Sequence, residues 1–305
     1  MAIDFKALAA KAVADGADMT KSVAGGGDYE AAAAGPGYCR FIAYIETGKQ
    51  TKKYKGIPTI IDEVQLVFEL VGKRHPPREM EDGTKVPHRI TVKEKRSLNE
   101  KANFFKLFNR MNYKQTAQHI AELLGEGFKC EVVHDKWTGT DGKERVDVTL
   151  RNKDGYTIMP PRKEDEDSET GWIEVAVPPA LSEVKCFLWQ QADMAQWASI
   201  YIEGQYPERK NEKGEVTAKA KSKNVLQDRI MTAKNFIGSP MHELLLTNGV
   251  AIDLPAVGEE DEEDNEPGNA PAPATGQAQQ AAAILSGAAV SSTTPPSNDA
   301  LGGIV

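Results

Sequence analysis

Nine residues from Gly48 to Gly56 (GKQTKKYKG) hold four lysines, Lys49, Lys52, Lys53 and Lys55, around one tyrosine, Tyr54. Four ammonium groups on so short a stretch attract phosphate oxygens. An aromatic ring among them offers a face on which a base can stack, worth about 1–3 kcal/mol per base. A second group has the same make-up: Lys136, Trp137, Lys143 and Arg145 flank the turn sequence Gly139-Thr140-Asp141-Gly142. Arg40 and Tyr44 have the parity to share one face of a strand, and Lys73, Arg74, Arg78, Lys93, Lys95 and Arg96 form a further basic set. A lysine-rich turn by itself is ordinarily a solvated turn. Two such turns, each with an aromatic, point to non-covalent contact with a polyanion.

Covalent chemistry has less to stand on. The chain contains no GxxxxGK[ST], no GxGxxG after a strand, no HExxH and no GxSxG, and its five histidines are scattered. Glu183-Val184-Lys185 has the ExK form of many metal-dependent nucleases, in which a carboxylate holds the metal and the lysine steadies the attacking water. A three-residue pattern with one open position arises easily in a chain this charged. Cys39, Cys130 and Cys186 are odd in number and far apart, which gives neither a disulfide framework nor a zinc knuckle. The expectation is therefore a protein without catalytic residues, cofactor or metal.

The net charge of −8 is unevenly spread. Residues 258–305 carry eight acids and no lysine or arginine, so residues 1–257 hold 37 acids against 37 bases. Six of those acids, Glu259, Glu260, Asp261, Glu262, Glu263 and Asp264, are consecutive and lack the alternation and glycine of a calcium loop. They read as a solvated anionic tail, able to compete with nucleic acid for a basic groove or to recruit basic surfaces of partners.

The elements that must position these residues follow from periodicity. Tyr38 to Thr47 alternates, with Cys39, Phe41, Ala43 and Ile45 on one face; Glu63 to Val71 alternates with Val64, Leu66, Phe68 and Leu70 inward; His88 to Val92 is a shorter extended piece. Ser97-Leu98-Asn99-Glu100 has the form of a capping box, opening a helix that carries Leu98, Ala102, Phe105 and Phe108. A second helical piece covers Thr116 to Leu124. Phe128–His134 and Arg145–Arg151 form a β-hairpin. The order strand, strand, strand, helix, strand, strand is that of an OB barrel, whose groove binds single strands, although an ordinary α+β domain has the same order. Further on, Trp172–Val177 and Val184–Leu188 read as strands, Glu208 to Lys221 as a basic polar loop, and Ser222 and Ser239-Pro240 as starts of two helices.

The segments YCRFIAYIETGKQ, EVQLVFEL and RSLNEKANFFKLF (residues 38–113), with KNVLQDRIMTAKNFIGSP (residues 223–240), resemble tailed-bacteriophage single-stranded DNA-binding proteins of the replication module. That resemblance implies an OB-like core, strand binding without sequence specificity, no catalysis, and a flexible acidic C-terminus that contacts replication partners, with a phage DNA polymerase, helicase or primase as candidates. It places the implied binding residues at Lys49, Lys52, Lys53, Tyr54, Lys55, Lys136 and Trp137. The acidic run lies about forty residues before the chain end instead of at it. The expected organisation is a mainly β (α+β) protein: a flexible arm at 1–37, an OB-like five-stranded barrel at 38–156, an elaboration packed on it at 157–257, and a disordered acidic tail at 258–305. No run approaches the ~18 apolar residues of a spanning helix, which gives an expectation of no membrane contact; the three unpaired cysteines suit a reducing cytoplasm, and the resemblance implies that of an infected host cell. A virion structural or scaffolding component is the alternative from another class.

Overall fold

The computed structural model of the protein describes residues 31–54, 57–80, 82–139, 142, 144–210, 216–250 and 252. The chain divides into two units, Met1–Ala31 and Ala32–Val305, and the fold belongs to the second. Lys55, Lys143 and the acidic residues 259–264 lie outside the described residues.

A long strand, β1 (Gly35–Tyr54), pairs antiparallel with β2 (Ile57–Val71) from Tyr38↔Val71 to Tyr54↔Ile57. β3 (Arg89–Lys95) pairs with β2. After helix α1 (Asn103–Met111) and a 3-10 turn (Ile120–Leu123), β4 (Gly127–Thr138) returns to the other edge of β1, and β5 (Glu144–Thr149) pairs with β4. The path is β3-β2-β1-β4-β5, and a sixth strand, β6 (Lys185–Phe187), lies parallel to β1 at Ala43–Ile45. The fold is mainly β with few helices, of α+β class. Among the described residues the path does not close into a barrel, since β3 and β5 are not hydrogen-bonded to each other. A small hairpin that follows β5, in which Arg151 pairs with Tyr156, is clasped to β3: Tyr156 donates to Glu94 at 2.5 Å, and Arg151 lies 3.6 Å from the same carboxylate. No helix among the described residues is long and apolar enough to cross a membrane.

β1 departs from the simple alternation in two places. Its register with β2 shifts between Phe41 and Ala43 and again between Glu46 and Gly48. A bulge admits one extra residue and moves every following side chain to the other face. Cys39 and Phe41 therefore join the inner core with Tyr44, whereas Ala43 and Ile45 point to the opposite side. Arg40 and Tyr44, expected on one face, are on opposite faces for the same reason. β2 has no bulge within Val64–Leu70 of its own, and its four predicted inward residues are all buried in the inner core.

The helical expectations shift by a few residues. α1 starts at Asn103 with no side-chain cap, and it buries Phe104, Leu107 and Met111, while Leu98 is exposed. Ser97 forms only a local turn contact with the Asn99 amide, and the reciprocal capping pair falls on His119 and Glu122. The expected arm ends earlier than residue 37: Gly35, Pro36 and Gly37 are already paired with β4. The carbonyls of Ala32, Ala33 and Ala34 are taken by His134, His75 and Arg74 at 2.7, 2.8 and 2.8 Å.

A second layer covers the outer face of β1 and β2. Ala43 and Ile45 pack against Phe187, Trp189, Trp197, Ile230 and Phe236, contributed by β6, α2 (Met194–Ser199), α3 (Val225–Met231) and the turn that leads to α4 (Pro240–Thr247). These side chains form an apolar core of their own, separate from the inner one. Gly48 permits the approach, because a Cβ there would lie 2.3 Å from the Trp189 ring and its φ is +76°.

Residues 177–182 cross this outer face as a strap along one ladder row. Gly127, Arg40, Glu69 and Arg89 are direct neighbours on β4, β1, β2 and β3. Val177 fills the space over Gly127; Arg40 donates to the Val177 and Pro178 carbonyls at 2.5 and 2.7 Å and to that of Gly125 at 2.6 Å. The Glu69 carboxylate accepts the Leu181 and Ser182 amides at 2.6 and 3.0 Å, and Arg89 donates to the Ser182 hydroxyl at 3.0 Å.

Candidate nucleic-acid interface

The first lysine group sits on a β-ribbon. Residues 48–54 continue β1, and Thr51, Lys52, Lys53 and Tyr54 pair with Ile60, Thr59, Pro58 and Ile57. At about 3.3 Å per residue, the segment from Gly48 to Tyr54 extends about 20 Å. Successive residues on it face opposite sides. Gly48 and Gln50 face the C-terminal layer, where the Gln50 amide donates to the Arg229 carbonyl at 2.8 Å, and Lys52 shares their parity. Lys49 and Lys53 lie on the other side, with Lys49 directly opposite Asp62. Asp62 is bound to Arg96 at 2.8 Å. Lys52 and Lys53 are both exposed, and Lys52 has the uncharged Thr59 across the ladder.

The ribbon is rooted in the C-terminal layer. The Lys49 amide donates to the Asn235 side chain at 2.7 Å, and the Lys234 amide donates to the Lys49 carbonyl at 2.8 Å. This juxtaposition brings exposed Lys234 to the base of the ribbon across more than 180 residues of sequence. Periodicity marked a helix from the cap Ser222 to Gly238 but offered no signal that Lys234 and Lys49 meet, because the contact is tertiary.

The second group occupies the β4–β5 hairpin, as expected, with Lys136, Trp137 and Thr138 opposite Val146, Arg145 and Glu144. The Arg145 guanidinium lies over the Trp137 ring, 5.1 Å from its centroid. Alternation puts Lys136 on the other side of the hairpin from Trp137. The Trp137 side also carries the cross-strand pair Asp135↔Asp147. Two carboxylates on that side weaken the attraction of Arg145 for phosphate. The register Gly35↔Val132 makes this hairpin overhang the start of β1, whereas the lysine ribbon extends from its end. A strand that touches both has to travel along the sheet.

Two expected contact residues are committed elsewhere. Arg40 is a strut for the strap, with three backbone carbonyls as acceptors. Tyr44 is fully buried; its hydroxyl donates to Glu46 at 3.1 Å, and burial followed by the Glu46 charge pushes the phenol pKa well above its ordinary range. Tyr44 offers no surface to a ligand, and the Arg40 guanidinium is already engaged by backbone carbonyls. In the further basic set, Arg96 bridges Asp62 and Glu46, and Arg74 binds the Ala34 carbonyl. Lys185 of the ExK pattern is half-buried on β6, its pKa lowered by burial and then by Arg89, while Glu183 is exposed. Among the described residues no three His, Cys, Asp or Glu side chains gather closely enough to hold a metal ion.

No family model, no curated protein and no solved structure matches the chain.

Proposed function

We propose that the protein binds single-stranded DNA without sequence specificity, through phosphate contacts made by the lysine ribbon. The carrying observation is that ribbon: exposed lysines on an extension of two strands, held at its base by a second layer. Such a contact follows the backbone and leaves the bases unread, which gives affinity without sequence preference. The strand path β3-β2-β1-β4-β5 supports an OB-like reading, since that fold is a partly open Greek-key barrel. Its usual outer binding face is here covered by the strap and by side chains of β6, α2, α3 and α4, which moves the expected contact toward the ribbon and its base. The likeness of residues 38–113 and 223–240 to phage replication proteins supports a role in protecting and unfolding single strands, with the acidic run 259–264 as the segment that meets a polymerase, helicase or primase.

The test is anisotropy of a labelled oligothymidylate titrated with the full chain, beside a duplex of equal length, at several salt concentrations. A labelled oligonucleotide is preferable to intrinsic fluorescence because Trp189 and Trp197 are buried and would report little. Saturable binding of the single strand, weaker binding of the duplex and a linear fall of log K with log salt are expected. No binding at low salt refutes the proposal.

A further inference from the structure

A second basic, aromatic-bearing element is rooted at the start of the helix whose last turn meets the ribbon base. Gln205 and Tyr206 pair antiparallel with Ser222 and Lys221, and Lys223 lies with its ammonium 5.5 Å from the centroid of the Tyr206 ring. Lys221 is the direct cross-strand neighbour of Tyr206, and Lys223, two residues on, has the same parity. The ring is therefore framed by two cations on one face. Tyr206 is half-buried and Lys221 exposed. The pairing partner of Tyr206 is itself a lysine.

The root of this hairpin is fixed. The Lys223 amide donates to the Gly204 carbonyl at 3.0 Å, and the Ile202 amide donates to the Asn224 side chain at 3.2 Å. Asn224 is also the N-terminal cap position of α3, whose other end carries Arg229, Lys234 and Asn235 to the ribbon base. A seven-residue helix is about 10 Å long. The hairpin is thus rooted at one end of this short helix and the ribbon at the other, where the Lys234 amide meets the Lys49 carbonyl.

From this we infer that Tyr206, flanked by Lys221 and Lys223, is a base-stacking platform that continues the single-strand path from Lys52 over Lys234. The inference rests on the strand-binding reading above and extends its site to a second arm. The chemistry fits a flexible single strand better than a duplex: an unpaired base can leave its neighbours and lie on the ring while the flanking ammonium groups take phosphates on either side.

Three variants of the full chain test it in the oligothymidylate assay, with Lys52→Gln as reference. Tyr206→Ala is expected to weaken binding between about fivefold and about a hundredfold, the affinity equivalent of one stacked base, and Tyr206→Phe to keep wild-type affinity because the ring remains. Replacing Lys221 and Lys223 together by Gln is expected to lower the log–log salt slope by about 1.4, two contacts at about 0.7 each. Wild-type affinity and slope in Tyr206→Ala and in the double variant, with Lys52→Gln still impaired, overturn the second arm and leave the ribbon standing. Equal losses in Tyr206→Phe and Tyr206→Ala also overturn stacking. A wild-type chain that binds no oligothymidylate refutes both readings at once.

Discussion

The parity of the ribbon turns three similar lysines into an unequal set. Lys52 shares the side of Gly48 and Gln50, which faces the C-terminal layer to which Lys234 belongs, and has Thr59 across the ladder. Lys49 and Lys53 point to the other side, where Lys49 faces Asp62 and its companion Arg96. A strand running over Lys52 toward Lys234 leaves the other two out of reach on the far side. One phosphate contact to a single strand contributes about 0.7 to the slope of log K against log salt, so a fourfold rise in salt costs that contact about 2.6-fold in affinity. Replacing Lys52 by Gln should therefore reduce the slope by about 0.7, whereas Lys49→Gln and Lys53→Gln should each change it by less than about 0.2. The assay is oligothymidylate anisotropy between about 50 and 200 mM salt, where the slope is well determined. Equal reductions in all three variants, or a larger one in Lys53→Gln, would refute the directional contact and leave only a diffuse field of lysines.

Tyr44→Phe removes a buried hydroxyl that donates to a carboxylate and should lower stability by about 2 kcal/mol in denaturant unfolding, with DNA affinity unchanged; a loss of affinity at intact stability would put Tyr44 back in the interface. Glu63 is buried, which raises its pKa, but hydrogen bonds and charge from Arg229, then Thr47, hold it below the ordinary carboxylate value of 4.5. Its ion pair therefore stabilises the fold above that value and is lost as pH falls through the lower folded-state pKa. Arg229→Met strands the carboxylate and should cost about 2–3 kcal/mol at neutral pH, less than a fully enclosed pair because Arg229 is 32% exposed. The gap should narrow in acid as Glu63 takes a proton, and a gap independent of pH would show that the pair adds nothing. Ending the chain at Val257 removes eight acids and should tighten binding at low salt and not at high salt; unchanged affinity at low salt would show that the tail does not compete.

Where alternation was unbroken, as on β2, the sequence specified the buried face correctly, because period two is a direct consequence of backbone geometry. On β1 the same reasoning misplaced Ala43, Ile45 and Tyr44. A bulge leaves no mark in composition, and YCRFIAYIET alternates acceptably in either phase. The lysine group was legible as chemistry but not as structure: it reads as a loop, whereas cross-strand pairing carries it outward as a ribbon. Arg40 was misread because its acceptors, Val177 and Pro178, lie more than 130 residues away. The Tyr206 face escaped notice for a related reason, since Lys221 and Lys223 look like part of a charged loop until the ladder sets them around the ring.

The strap row has a consequence for how the molecule is assembled. Gly127, Arg40, Glu69 and Arg89 come from four strands and meet only when every neighbouring pair has its correct register. A slip of one residue in any pair would turn the next member of the row to the opposite face and remove its contact with the strap. Residues 177–182 therefore act as a gauge laid across the sheet, able to seat only on a correctly aligned one. The C-terminal layer that follows the strap, with α3 and the hairpin it roots, thereby becomes the part of the fold that certifies the rest.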